Sequence, residues 1–279
     1  MLMFQNLVLF ELLVDSHIAV LTLNRADASN VINTAMLEEL SVRLDEVERN
    51  TSIRVMIMYS IGKHASLGAD LNELVEPKDG GGYTNIEILV ARKHVAHGRE
   101  VVQKLFRLRV PIIGIIHGYC LGGGAELYAF CDVLYGASGG KEEGGLVYGF
   151  PEPTIGVMAG WMGPEMLTKR IGEGYALDLL LSGRKITGNE ALRMGIVQAL
   201  YHRDELWARA MEWAGKVAAN APYAIESTRR TINCVLFPDF DDVLNSTGQE
   251  TVDNLMTADF IKGATKILDK SDVLPYTRG

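Results

Sequence analysis

A run of three glycines followed closely by a carboxylate is the stretch of this sequence best suited to chemistry. Residues 117–132 read HGYCLGGGAELYAFCD, in which Gly122, Gly123 and Gly124 stand next to Glu126. The spacing matches neither GxGxxG nor a P-loop. The stretch follows a strand pattern and begins a helical one, so free N–H groups and the helix dipole meet at the turn. It can hold a phosphate or a developing oxyanion, or simply allow close helix–strand packing.

A second small-residue turn has the same arrangement. Residues 64–74, HASLGADLNEL, also follow a strand pattern and lead into a helical one. The backbone N–H of Ala69 or of a neighbour can supply a further hydrogen-bond donor. If the two turns face each other, they form an oxyanion hole with two donors.

A second carboxylate, Glu152, stands in the proline-containing turn GFPEPTIG at residues 149–156. Two carboxylates beside an oxyanion hole suit proton transfer next to a carbonyl group. The alternatives are that Glu126 only complements the helix dipole and that Glu152 is a surface acid.

Alternating strand and helix patterns in the first half of the chain must position these turns. Buried strands are predicted at residues 17–23, 55–60 and 110–117, and a helix is predicted to begin at Asn33 or Thr34. Strand, glycine turn and helix recur, which favours parallel strands with right-handed crossovers and an α/β fold.

The second half of the chain is mostly helical in pattern. A helix predicted within residues 204–220 has one apolar face formed by Leu206, Ala210, Trp213 and Val217. We predict an α/β core over residues 1–200 and a C-terminal helical region over residues 201–279. The apolar faces of that region must pack on the core or on a neighbouring subunit.

The composition is typical of a soluble globular protein. With 27 basic and 35 acidic residues the formal charge is −8, which argues against a nucleic-acid partner. No apolar stretch reaches the ~18 residues of a membrane span. Glu11 and Asp15 interrupt the apolar N-terminal stretch, which argues against a signal peptide. We expect a cytoplasmic protein, with a eukaryotic organelle as the alternative.

No metal site is predicted. The three cysteines, Cys120, Cys131 and Cys234, lack the spacing of paired metal ligands, and we expect them to be reduced thiols. His94 and His97 are three positions apart, but no third ligand accompanies them.

Four stretches together resemble the crotonase superfamily, the enoyl-CoA hydratase/isomerase family, over nearly the whole chain. LNRADASNVINTAMLEEL resembles its first CoA-contacting loop and helix, and SLGADLNEL its adenine-pocket and oxyanion segment. PIIGIIHGYCLGGGAELYAFCD is similar to its most specific signature, and PEPTIG through GRKITGNEALRMGIV follows the order of its later elements. The resemblance implies a ClpP/crotonase-like fold, with a stacked ββα core and a C-terminal helical region used in oligomerisation.

The resemblance also implies roles for individual residues. Ala69 and Gly123 would donate their backbone N–H groups to the oxyanion, and Gly123 would be a glycine so that a thioester carbonyl can approach. Glu126 would orient and activate water, while Glu152 would exchange a proton with the substrate. The residues expected to contact CoA are Arg25, Ala28, Ser29, Val31, Ala65, Leu67, Ala69, Asp70, Leu71 and Lys262.

Two departures from the family pattern concern the glutamates and the CoA phosphate. Glu152 follows Glu126 by 26 positions, a longer separation than the family suggests, and the surplus is the polar stretch GGKEEGG at residues 139–145. We expect this stretch to be a flexible insertion. Ser29 stands where a basic residue often meets the phosphate, so Arg25 or Lys262 is expected to take that role.

A third departure concerns the acyl pocket. The usual PGxGG stretch of the family reads AGWMG here, with Trp161 and Met162 where very small residues are common. We predict that these two residues line the acyl pocket together with Tyr83 from a glycine-containing segment. The alternative is that Trp161 is turned into the core.

The function predicted from these features is hydration of a 2-enoyl-CoA thioester to a 3-hydroxyacyl-CoA through an enolate stabilised by the oxyanion hole. The alternatives are another acyl-CoA reaction on this fold, such as double-bond isomerisation or ring or thioester hydrolysis, and a non-catalytic CoA-binding subunit. CoA is part of the substrate, so no separate cofactor is expected. The expected partners are an acyl-CoA and further copies of the chain in a homotrimer or homohexamer, without nucleic acid or membrane.

Overall fold

The computed structural model describes residues 6–79, 81–237 and 239–270. Most of its strands lie before residue 150. The strands are β1 Val8–Leu13, β2 Ile18–Leu23, β3 Val55–Ser60, β4 Val75–Pro77, β5 Tyr83–Asn85, β6 Ile112–Ile116, β7 Tyr119–Leu121, β8 Val133–Ala137, β9 Val147–Gly149, β10 Lys185–Thr187 and β11 Ala199–Tyr201. The helices are α1 Thr34–Arg49, α2 Ile88–Arg107, α3 Gly123–Ala129, α4 Gly163–Ile171, α5 Glu173–Ser182, α6 Gly188–Met194, α7 Leu206–Ala218, α8 Pro222–Leu236, α9 Phe240–Leu255 and α10 Ala258–Leu268.

A six-stranded sheet in the order β1-β2-β3-β6-β8-β11 forms the centre of the fold. Strand β1 is antiparallel to β2, and the other neighbours are parallel. Every residue of β2 is buried, as expected where both faces of a parallel sheet are covered. Ile18 and Val20 pack in a cluster with α7, whereas Ala19 and Leu21 belong to the larger core that includes α1 and α2. The predicted buried strands and parallel pairing are confirmed.

Helix α1 begins where its capping residue predicts. The Oδ1 of Asn33 accepts a hydrogen bond from the backbone N–H of Met36 at 3.0 Å, which satisfies a donor of the first turn. Leu37, Leu40 and Leu44 are buried on the face that packs in the larger core. The local pattern is therefore enough to position this helix against the sheet.

Two features differ from the sequence-based expectations. The apolar N-terminal stretch, considered only as a signal peptide, contains strand β1, which pairs along the full length of β2. In α7, the buried positions after Leu206 and Ala210 are Ala214 and Ala218, whereas Trp213 and Val217 are only partly buried beside them. Alanines fit this face because the helix packs directly on four strands of the sheet.

A smaller sheet in the order β10-β9-β7 carries the turns that form the site. Residues 139–145, expected to be a flexible insertion, form a hydrogen-bonded turn between β8 and β9. The N–H of Gly140 donates to Oε2 of Glu143 at 2.9 Å, and the N–H of Gly145 donates to the carbonyl of Gly140 at 2.9 Å. The turn is held in place because its own backbone groups are paired.

The last two helices pack on the same chain. Helix α9 lies along α2, and α10 lies on the 3₁₀ turn at Glu152–Ile155 and on β5. The close approach of α10 requires a glycine, since a Cβ at Gly263 would overlap the backbone of Ile155. Across the described part of the chain, no helix combines the length and apolar character of a membrane span.

Candidate active site

The two glycine turns predicted to face each other are in direct contact. The segment after β3 pairs with β7: the N–H of Ser66 donates to the carbonyl of Tyr119 at 3.1 Å, and the N–H of Leu121 donates to the carbonyl of Ser66 at 3.0 Å. Gly68 has a φ of +96°, and a Cβ at this position would lie only 3.1 Å from the carbonyl oxygen of Leu121 and 3.4 Å from the nitrogen of Gly123. Only a glycine allows these two backbones to come together.

Ala69 and Gly123 line the same cleft, and Gly68, next to Ala69, is in contact with the turn that carries Gly123. Within the described residues, the backbone N–H of neither Ala69 nor Gly123 donates to a protein acceptor. Gly123 is the first residue of α3, where an N–H has no partner within the helix. Both N–H groups are therefore available as hydrogen-bond donors.

The packing of Trp161 gives a further reason why residue 123 is a glycine, beside the expected approach of a carbonyl group. A Cβ at Gly123 would lie 2.6 Å from Cζ3 of Trp161. The glycine is therefore required by the indole that packs against the turn, rather than only by an approaching carbonyl. Gly122, with a φ of +51°, is equally constrained, since a Cβ there would lie 2.9 Å from Oε1 of Glu152.

The cleft that these turns border has a volume of about 570 Å³. Its apolar walls include Leu74, Val95, Val157, Leu255 and Phe260. The last two residues come from α9 and α10, so the C-terminal helices complete the cleft of their own chain. A concave, mostly apolar cavity with a few polar groups is typical of a small-molecule site.

Glu126 lines the cleft and is buried, with 3% of its surface exposed. Its Oε1 accepts hydrogen bonds from the backbone N–H of Trp161 at 2.7 Å and of Gly163 at 2.8 Å. Burial raises the pKa of Glu126 above the ordinary value of 4.5, and the neighbouring charge of Glu152 raises it further, against the effect of the two hydrogen bonds. The side chain is thus fixed in one orientation.

Glu152 lines the same cleft from the start of the 3₁₀ turn, directly after Pro151. Its Oε2 is buried and has no hydrogen-bond partner among the described residues. Burial raises the pKa of this carboxyl as well. Burial outweighs the hydrogen bond from the residue's own backbone N–H, so the environment favours the protonated carboxylic acid.

The two glutamates line the same cleft, and the charge of Glu152 raises the pKa of Glu126. Two carboxyl groups in one buried site resist double ionisation, so the pair retains a proton at a higher pH than two isolated glutamates would. One member can then donate a proton while the other accepts one. This is the chemistry expected of a site that protonates and deprotonates carbon next to a carbonyl group.

Half of the residues predicted to contact CoA line the cleft, and half do not. Those lining it are Val31, Leu67, Ala69, Asp70 and Leu71. Those outside its lining are Arg25, Ala28, Ser29, Ala65 and Lys262. Ala65 is fully buried. Ala28 is the last residue of a 3₁₀ turn, and Ser29 follows it with a left-handed backbone, so these two residues shape the loop before Val31.

Arg25, predicted to meet the CoA phosphate, is instead engaged within the protein. Its Nη1 donates to Oδ2 of Asp70 at 2.7 Å and to the carbonyl of Val31 at 3.0 Å. Burial alone would raise the pKa of Asp70, but the hydrogen bonds from Arg25 and Asn72 outweigh it and lower the pKa. Arg25 therefore joins two segments of the cleft wall.

Lys262 is likewise paired, with Asp259 at 3.3 Å on the same helix. The lysines that line the cleft are Lys266, one turn further along α10, and Lys185 on β10. Both are exposed, as expected for cations at the mouth of a site. Lys185 and Lys266 are thus two further candidates, beside Lys262, for contact with a phosphate group.

Trp161 both lines the cleft and packs in the core. It is 4% exposed, and its ring stands between Gly123 of α3 and Gly98 of α2. A Cβ at Gly98 would overlap Cε2 and Nε1 of the indole. The two alternatives considered for Trp161, pocket or core, are therefore both realised.

The other two residues predicted for the acyl pocket lie elsewhere. Met162, just before α4, is fully buried in the larger core and does not line the cleft. The hydroxyl of Tyr83 donates to Oδ1 of Asp269 at 3.1 Å, outside the cleft.

Sequence reasoning missed two residues that matter to the site. Asn30, fully buried, donates from Nδ2 to the carbonyls of Ile61 and His64 and so holds the loop before Val31. His94, considered only as a metal ligand, lines the cleft from α2. Its spacing from Ala91 and Val95, both buried, was a signal that the ring faces inward.

The chain matches a known protein family over most of its length. The model of the family described as enoyl-CoA hydratase/isomerase matches residues 14–272. A short-chain-enoyl-CoA hydratase of Clostridium acetobutylicum is 28% identical over 260 residues, covering 93% of this chain and 94% of the relative. The 2,3-dehydroadipyl-CoA hydratase of Escherichia coli is 31% identical over 215 residues, covering 77% of this chain and 78% of the relative.

Solved structures agree in fold. The crystal structure of an enoyl-CoA hydratase from Mycobacterium avium subsp. paratuberculosis superposes with a TM-score of 0.83, at 18% identity, covering 97% of this chain and 99% of that one. An enoyl-CoA hydratase/isomerase from Pseudoalteromonas atlantica has a TM-score of 0.82, at 20% identity, covering 97% and 100%. These likenesses establish the predicted crotonase fold. With the family match across nearly the whole chain, they show that this protein belongs to the enoyl-CoA hydratase/isomerase family.

Proposed function

We propose that this enzyme adds water to a 2-enoyl-CoA to give the 3-hydroxyacyl-CoA. The observation that carries the proposal is the convergence of two buried glutamates, Glu126 and Glu152, with two free backbone N–H groups on one cleft. Two similar proteins are named as hydratases of enoyl-CoA thioesters, which supports hydration as the reaction.

The thioester carbonyl is the group that the two N–H donors bind in this proposal. Ala69 and Gly123 donate to its oxygen, where negative charge develops as the enolate forms. Donors that are already in place cost no reorganisation during the reaction, and removal of one such donor typically lowers the rate by about 10²–10³.

The two glutamates then share the proton transfers. The oxygen of water bonds to C3 while one of its protons passes to Glu126, and the π electrons of the enoyl group move onto the carbonyl oxygen. The enolate then takes the proton of Glu152 at C2. The pair holds one proton before and after the step, and a proton exchange between the two carboxyls restores the starting state.

The CoA portion lies toward the mouth of the cleft in this proposal. Val31, Leu67 and Leu71 supply apolar contact, and Lys185 and Lys266 supply positive charge for phosphate groups. CoA arrives as part of the substrate, and no separate cofactor is required. We propose a cytoplasmic homotrimer or homohexamer, assembled through the C-terminal region at residues 201–279.

Double-bond isomerisation is the second candidate, and one observation favours it. The Oε1 of Glu126 is already occupied by two backbone N–H groups, which is what a structural role alone would require. Glu152 alone could then move a proton between two carbons of the acyl chain.

Matched substrates distinguish the two reactions. We expect 2-hexenoyl-CoA in water to give 3-hydroxyhexanoyl-CoA, identified by mass spectrometry and chromatography. An isomerase would convert 3-hexenoyl-CoA to 2-hexenoyl-CoA without adding water. Isomerisation faster than hydration would reject the first proposal in favour of the second.

A further inference from the structure

His94 is a buried polar side chain that the proposed reaction does not use. It lies on α2, lines the cleft and is 4% exposed. Neither ring nitrogen has a hydrogen-bond partner among the described residues. Buried polar atoms nearly always have a hydrogen-bond partner. Both nitrogens of this ring lie unpaired at a binding cleft, which points to a hydrogen-bond partner supplied by a ligand.

A second unpaired donor lies next to it. The rings of His94 and Trp161 have centroids 5.8 Å apart, and within the described chain the indole Nε1 has no acceptor. The neighbouring lining residues Leu74 and Val95 are apolar and offer no hydrogen bond. The two aromatic side chains thus present unpaired polar atoms beside these apolar residues.

The charges around His94 select among polar ligands. Oε2 of Glu73 lies 3.8 Å from Nδ1 of His94, beyond hydrogen-bond distance, and already accepts from the N–H and hydroxyl of Thr34. Its charge favours the tautomer with hydrogen on Nδ1, which leaves Nε2 as an acceptor. Asp70 also raises the negative potential here, while His97 is the other titratable neighbour. A neutral donor fits this environment, and an anion does not.

Burial is consistent with an uncharged ring. It lowers the pKa of His94 to about 4, so the side chain carries no charge at neutral pH despite the nearby carboxylates. A neutral imidazole provides one donor and one acceptor.

We propose that His94 and Trp161 form a specificity site for a hydroxyl group on the acyl chain of the substrate. The hydroxyl hydrogen is donated to Nε2 of His94, and the hydroxyl oxygen accepts from Nε1–H of Trp161. The inference rests on the proposed function and narrows its substrate class to hydroxylated 2-enoyl-CoA thioesters. Acyl groups that end in a carboxylate are disfavoured by Asp70 and Glu73.

The test compares 2-hexenoyl-CoA with its 4-hydroxy, 5-hydroxy and 6-hydroxy derivatives. We expect the wild-type kcat/KM for at least one hydroxylated substrate to exceed that for 2-hexenoyl-CoA by about tenfold or more. His94→Phe keeps an aromatic ring against Trp161 but removes both polar nitrogens, and should abolish this preference. His94→Gln restores a donor and an acceptor and should recover part of it.

His97→Phe is the matched control, because His97 lies on the same helix but outside the cleft lining. It should leave the preference unchanged. The relevant ratio is kcat/KM for a hydroxylated substrate divided by kcat/KM for 2-hexenoyl-CoA. If this ratio is the same in wild type and in His94→Phe, the proposal is overturned. A wild-type preference for 2,3-dehydroadipyl-CoA, which carries a carboxylate, would also overturn it.

A failure of the proposed function is recognised separately. If wild type hydrates none of these thioesters, binding of saturated hexanoyl-CoA and its hydroxy analogues is measured by calorimetry. Tighter binding of a hydroxylated analogue that is lost in His94→Phe supports the site without any turnover. Equal binding of all analogues to both proteins rejects it.

Discussion

Glu126 and Glu152 are buried carboxyl groups on the same cleft, yet the protein holds them in different ways. Two backbone N–H groups fix one oxygen of Glu126, whereas Oε2 of Glu152 has no partner among the described residues. The first arrangement suits a group that positions water, and the second suits a group that gives up a proton. The difference between the two residues thus arises from their local hydrogen bonds.

Replacing either carboxyl by an amide tests these roles. Glu126→Gln and Glu152→Gln should each lower kcat for a 2-enoyl-CoA by about 10²–10⁴, the usual contribution of a positioned acid or base. The amide oxygen introduced by Glu126→Gln can still accept the two backbone hydrogen bonds, so circular dichroism should show an intact fold. Glu11→Gln, at an exposed position on β1, is the control and should retain wild-type kcat. A Glu152→Gln rate within threefold of wild type would remove Glu152 from the mechanism.

Stability should depend on pH through the same residue. The pKa of Glu152 is raised in the folded state, so its contribution to stability is fully present below the unfolded pKa and is lost as pH rises through the folded pKa. The amide introduced by Glu152→Gln cannot ionise. The difference between the free energy of unfolding of this variant and that of wild type should therefore shift in favour of the variant by about 1–3 kcal/mol from pH 5 to pH 8. Urea unfolding at both pH values measures this. A relative stability of Glu152→Gln that is independent of pH would contradict the raised pKa.

At the scale of the elements, Trp161 links helix α2 to the turn at the start of α3. Its indole fits between Gly98 and Gly123, and its backbone N–H holds Glu126. The packing of α2 is therefore connected to the orientation of the Glu126 carboxyl through one residue. A displacement of the indole should affect stability and rate together.

Gly98→Ala tests this connection. The added methyl group overlaps the indole, so we expect a loss of about 1–3 kcal/mol of unfolding free energy together with a reduced kcat. Gly215→Ala is the control, since Gly215 lies within α7 with no atom near the added methyl group, and should stabilise the protein by up to about 1 kcal/mol. Combining Gly98→Ala with the smaller Trp161→Phe should restore part of the stability. A Gly98→Ala protein with wild-type stability and kcat would disprove the link.

Local sequence patterns predicted the elements that depend on local interactions. The buried strands β2, β3 and β6 and the capped helix α1 follow from apolar runs and one capping side chain. Strand β1 was missed because it is recognisable only through its pairing with β2. The buried positions of α7 follow a spacing of four residues, but the apolar side chains of Trp213 and Val217 lie beside that line, and tertiary packing decides which face is covered.

The parts of the site that depend on local sequence were also predictable. Glycine turns and carboxylates carry their own chemical signals, so both glutamates and both N–H donors were placed on one cleft. The orientation of Trp161 depends on Gly98, which lies far away in the sequence, and the roles of Arg25 and Lys262 depend on their ion-pair partners Asp70 and Asp259. Such partner choices are set by the assembled fold.

At the scale of the whole molecule, helix α8 leaves large apolar side chains on the surface of the single chain. Tyr223 is 77% exposed, Val235 is 76% exposed and Ile232 is 53% exposed. An apolar surface of this kind is typical of a protein–protein contact. The proposed trimer would cover it.

Mass measurement in solution tests the assembly. Three chains of 30.6 kDa give about 92 kDa, and six give about twice that mass. We expect one of these values by sedimentation at micromolar concentration, and we expect Val235→Asp to shift the distribution toward smaller species because it places a charge in the contact. Val14→Asp, at a 69% exposed valine before β2, is the control and should leave the mass unchanged. A monomeric wild-type protein would contradict the proposed assembly.

Hydration of crotonyl-CoA by the wild-type protein is the most direct test of the proposed function. With oxygen-18-labelled water as solvent, we expect loss of the conjugated enoyl absorbance, formation of 3-hydroxybutyryl-CoA and one labelled oxygen at C3. The rate should fall by about 10²–10⁴ in Glu126→Gln and in Glu152→Gln. Absence of labelled product, while the protein still binds crotonyl-CoA, would contradict the claim that these two glutamates add water to an enoyl thioester.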